Sequence, residues 1–141
     1  MNTRLLLMVA ALLMVACSSA PNKNTLSPVD LTADKNAVSD YWLVYRKVTA
    51  PYPEAAKSQK LSGCVEFTLV IDSLGQAVEP KITKSFPAGV FDQQALSAIK
   101  NWLWVPAQAN TERRASIITL QQDFVIRQSS NSKAAYDACK I

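Results

Sequence analysis

Histidine is missing from the 141-residue chain, and glycine is scarce, with three residues. The first absence removes the commonest general base and metal ligand. The second leaves no Gly-rich loop to cradle a phosphate. No paired carboxylates and no nucleophile with a base stand in their place. No catalytic residue, metal ligand or cofactor is therefore assigned, and the chain reads as a binding or structural protein, not an enzyme. A long apolar run is lacking as well: Leu5–Ala16 counts twelve residues, whereas a membrane-spanning helix needs about 20. Charge of one sign is also weak. The net of +4 is scattered, without the concentrated basic face that nucleic acid selects.

What is present begins at the N-terminus. Arg4 followed by the twelve apolar residues reads as a secretory signal. Met14-Val15-Ala16-Cys17 resembles the bacterial lipobox, with Met14 where Leu is usual. That resemblance implies removal of residues 1–16 and lipidation of Cys17, the acyl chains being of the palmitate kind. Each buried CH₂ contributes roughly 0.8 kcal/mol, so two or more chains make a stable anchor. Ser18 stands where Asp would favour retention at the inner membrane. The expected location is the outer membrane, facing the periplasm.

Residues 17–36 are rich in Ser, Asn, Pro, Asp and Lys and read as a flexible tether. The ordered part, 37–127, opens with "AVSDYWLVYRKV", either a short helix or an extended lead-in. Pro53 and Glu54 suit the first turn of a short helix to about Lys60. Val65, Phe67, Leu69 and Ile71 alternate on a strand at 64–72, and "DSLGQ" turns the chain with Gly75. Residues 77–85 return as a second strand that Pro80 places at an edge. Residues 91–104 predict the longest helix, with Phe91, Ala95, Ala98, Ile99 and Trp102 on one stripe and Asp92 at its start. A third strand follows from Ser116. There Ile118, Leu120, Phe124 and Ile126 face inward, and Gln122 marks either a bulge or an inward amide with a partner. Residues 128–141 read as a polar tail with a last helical turn carrying Cys139. The sum is an α+β two-layer sandwich, a small three-stranded antiparallel sheet with helices on one face.

Two cysteines remain besides Cys17. In an oxidising compartment Cys64 and Cys139 read either as a disulfide or as two separate thiols, Cys64 being a small apolar residue on a strand.

Five motifs then fall in register: Tyr52-Pro53, Gly63-Cys64-Val65, Ile71-Asp72…Gly75, Phe91-Asp92, and Trp102-Leu103-Trp104-Val105-Pro106. Over about residues 48–127 they resemble the C-terminal domain of TonB, with Leu103 where a basic residue is usual. Phe91, Trp102, Gly63 and Gly75 are read as fold determinants. The resemblance implies a protein-binding domain used in TonB-dependent transmembrane transport. Its partner is a short segment of an outer-membrane receptor, the TonB box, added as a strand beside the last strand, or else another periplasmic protein. By position that edge is Ser116 to Ile126, with Ile117, Thr119, Gln121 and Asp123 on the face away from the helix. Two other readings stay open. One is a structural cell-envelope lipoprotein with its edge covered by the 128–141 tail. The other is an energy transducer anchored by an uncleaved N-terminus.

Overall fold

The computed structural model describes residues 26–141. The signal and lipidation expectations at 1–17 lie outside the described residues.

Strand β1 is Val29–Asp30, helix α1 Ala37–Tyr41 and strand β2 Trp42–Arg46. Helix α2 is Glu54–Ser58, and strands β3 and β4 are Gly63–Ile71 and Ala77–Phe86. Helix α3 (Asp92–Ile99), strand β5 (Leu103–Pro106), a 3₁₀ turn at Gln108–Asn110, strand β6 (Ser116–Phe124) and helix α4 (Ser132–Cys139) complete the order. One sheet has the order β1-β6-β3-β4, and β2 and β5 form a separate antiparallel ribbon. The α+β class and the antiparallel β4-β3-β6 centre agree with the sequence reading, and the sheet gains one strand.

Alternation decides which face of β3 and β6 is buried. Val65, Phe67, Leu69 and Ile71 of β3 join Ile118 and Phe124 of β6 in one core with Ala95 and Ile99 of α3. Phe91, at the start of α3, stacks on Phe124 at 4.3 Å between ring centroids, and Tyr52 meets both rings edge-on. Two glycines permit close approach. A Cβ on Gly63 would lie 1.9 Å from the Phe86 carbonyl oxygen; one on Gly75, at φ +78°, would lie 2.0 Å from that of Trp104.

Four local readings change. The 91–104 helix stops at Ile99, because Asn101 Nδ2 folds back to the Ser97 carbonyl and residues 103–106 pair with β2. Pro106 also disfavours helical backbone at Val105. The lead-in is both alternatives in succession, helix α1 and then strand β2. The stretch 17–36 is not uniformly a tether: Val29–Asp30 pairs with β6, and Leu31 is buried in the core. The tail folds as α4 on the opposite face of the sheet. Its Asn131 amide exchanges two 2.9 Å bonds with the Ser62 backbone. At its other end Cys139 is bonded to Cys64, with Cα atoms 5.8 Å apart.

Candidate partner-binding edge

In β6, Ser116, Ile118, Gln122 and Phe124 are buried, whereas Ile117, Thr119 and Gln121 are half-buried and Asp123 is exposed. The β3–β6 ladder runs from Gly63↔Phe124 to Ile71↔Ser116 without a register shift. No bulge lies at Gln122. Its side chain turns inward, and Nε2 donates to the Ala95 carbonyl at 3.0 Å. The inward amide is thus satisfied.

The edge predicted from Ser116 onward divides in two. At its start β1 runs parallel to β6, with Val29 N–H donating to the Ala115 carbonyl at 2.8 Å and Leu31 N–H to the Ile117 carbonyl at 2.9 Å. Ser116 is withdrawn completely: it faces the core, where its Oγ accepts from Trp42 Nε1 at 3.1 Å. Ser116 and Ile117 are therefore not free for a partner strand, because the chain itself supplies one.

Beyond Ile117 the outer side carries no strand among the described residues. Backbone groups alternate between the two sides of a strand in an antiparallel ladder. Ile117 uses its outward side toward β1, so Thr119, Gln121 and Asp123 direct their N–H and C=O groups the same way. A shallow cleft flanks this stretch, between residues 47–50 and 121–124. Its far wall is fixed where Trp102 Nε1 donates to the Val48 carbonyl at 2.8 Å. Lys47 sits 5.1 Å over the Trp102 ring. Gln121 Nε2 donates to Asp123 Oδ1 at 2.7 Å and to the Cys139 carbonyl at 3.0 Å, tying the edge to the end of α4. The tail thus backs the sheet's far face and leaves the outer side of residues 119–124 without a paired strand.

The opposite edge, β4, is blunted. It carries Pro80, Glu79 at φ +51°, Lys81 and Lys84, and two register shifts in its pairing with β3. Proline, bulges and lysines each oppose strand addition. Residues 119–124 of β6 carry no such device.

Two titratable groups lie near these elements. The Thr32 backbone N–H and then its hydroxyl hold the Asp30 carboxyl below its ordinary range. Burial raises the Tyr52 hydroxyl. Among the described residues no group of three or more Cys, Asp or Glu is placed to hold a metal ion, and no helix is long and apolar enough to cross a membrane. Sequence reasoning missed β1, since two residues of strand have no period to detect.

Residues 49–126 match the family described as Gram-negative bacterial TonB protein C-terminal. The chain is 28% identical over 86 residues to Protein TonB of Vibrio cholerae serotype O1. That alignment covers 61% of this chain and 35% of the relative, so the chain spans about a third of its length. The solution structure of the Pseudomonas aeruginosa TonB C-terminal domain superposes with a TM-score of 0.56 at 24% identity, over 64% of this chain and 90% of that one. That likeness is one of fold.

Proposed function

The chain belongs to the TonB C-terminal family, and from that premise we propose that it is a periplasm-facing lipoprotein, anchored through Cys17, whose domain binds receptor segments by strand addition. The partner is an extended segment of a TonB-dependent outer-membrane receptor, laid beside Thr119–Phe124. Its backbone pairs with the outward groups of Thr119, Gln121 and Asp123, and the 47–50 segment forms the wall beside it. The observation that carries the reading is the contrast between edges: β4 is blunted, and residues 119–124 of β6 are not. The chemistry asked of the domain is recognition, and no side chain is given a catalytic role.

The test is an NMR titration of the chain from Ser18 onward with N-terminal peptides from the host's TonB-dependent receptors. Saturable shifts centred on residues 119–124 support the reading. A folded protein with no shifts for any peptide rejects it in favour of a structural envelope role. Mass spectrometry of membrane extracts tests the anchor separately, an unmodified Cys17 counting against it.

A further inference from the structure

Strand β1 occupies the same lateral side of β6 that a partner strand needs. The Ile117 carbonyl accepts from Leu31 N–H, and a partner continuing from Thr119 toward Ile117 requires the same oxygen. The two strands cannot both lie beside Ile117 on that side of β6. Resting on the strand-addition reading above, we infer that Val29–Leu31 is a built-in competitor strand that limits how much of β6 an incoming peptide can pair with.

Two features make this segment a removable plug and not a fixed member of the sheet, and a third holds it in place until it is displaced. It is the shortest strand, two residues, and it has one neighbour, β6. It cannot lengthen along the edge, because Asp30 Oδ1 accepts both the Thr32 N–H at 2.9 Å and the Thr32 hydroxyl at 2.7 Å, turning the chain away after Leu31. It is held at its end by a side chain, Leu31, which is 8% exposed in the core beside a half-buried Val29. Short terminal elements with few bonds are the first to open in native proteins. Here opening would expose the acceptors at Ala115 and Ile117 and leave the β3–β6 ladder intact.

The consequence depends on peptide length. A strand rises about 3.3 Å per residue, so a peptide of about five residues fits beside Thr119–Phe124 without meeting β1. A longer peptide that runs on past Ile117 must displace it. Its apparent affinity is then reduced by the fraction of molecules with β1 open.

The experiment uses the full chain in detergent micelles and two synthetic receptor-derived peptides, of five and nine residues. Val29→Pro removes one donor of the β1 pairing, and Leu31→Ala, as a second variant, removes the anchor. The expected result is that the nine-residue peptide binds both variants about tenfold more tightly than the unmodified chain. The five-residue peptide binds all three alike. In the unmodified chain the Leu31 amide is protected from hydrogen exchange until the longer peptide is added. Equal binding of the longer peptide to all three forms, with Leu31 protected throughout, overturns the inference and leaves strand addition standing. A Leu31 amide that exchanges freely in the unliganded chain also overturns it. If neither peptide binds any form, strand addition itself fails and takes the inference with it.

Discussion

Gln122 Nε2 donates to the Ala95 carbonyl of helix α3 at 3.0 Å, a polar bond through the layer where sheet and helix meet. The bond needs a donor at residue 122, since the acceptor is a carbonyl oxygen. Gln122→Glu would set an acceptor-only carboxylate against that oxygen at a position 8% exposed. We expect a loss of about 2–4 kcal/mol at neutral pH, from an uncompensated buried charge. Burial raises the pKa of this carboxyl in the folded state, so its protonated form is the one the fold accepts. The variant should regain stability as pH falls and lose it as pH rises. Urea unfolding at a series of pH values reads this directly.

Gly63 tests the close approach between β3 and β4. Gly63→Ala would drive a methyl group to 1.9 Å from backbone oxygen and 2.8 Å from the Phe91 ring. Neither neighbour is the end of a flexible side chain. A destabilisation of about 3 kcal/mol or more is expected by chemical denaturation, of the overpacking kind.

Tyr52 lies against Phe91 and Phe124, with its hydroxyl donating to the Leu61 carbonyl. Burial raises its pKa above the ordinary 10.0. The contribution is complete below the unfolded-state value and is lost as pH rises through the folded one. Thermal stability should therefore fall more steeply above pH 10 in the native chain than in Tyr52→Phe.

The Cys64–Cys139 bond closes a loop of 75 residues in sequence separation. The chain-entropy model assigns such a loop about 4–5 kcal/mol as an upper figure. Cys139→Ala should lower stability within that limit. Amide exchange should quicken in the last turn of α4 more than at its start, where Asn131 still holds Ser62.

Much of this architecture was legible in the sequence because it depends on period. The alternation of Val65, Phe67, Leu69 and Ile71 marked the buried face of β3, and the Phe91–Ile99 stripe marked α3. The apolar stripe alone extends α3 to Trp104 because Trp102 continues it, and pattern does not register that residues 103–106 have a strand to pair with. That partner, β2, is separated from β5 by more than fifty residues. Non-local pairing of short strands leaves almost no local signal. Val29–Asp30 was invisible for the same reason. The polar stretch around it reads as a tether, and its place in the fold comes from its backbone bonds to β6 together with the buried Leu31 side chain.

In the proposed complex a partner pairs with the outward backbone of β6 beyond Ile117. Thr119 donates outward, so Thr119→Pro removes one edge N–H without removing a β3 ladder bond, and prolines are tolerated at such edge positions. The measurement is a titration of this variant and the unmodified chain with one receptor peptide of five residues. Strand addition at this edge requires a folded variant, with its spectrum conserved away from β6, that has lost binding by tenfold or more. Unchanged binding to folded Thr119→Pro would contradict it and move the partner to another surface.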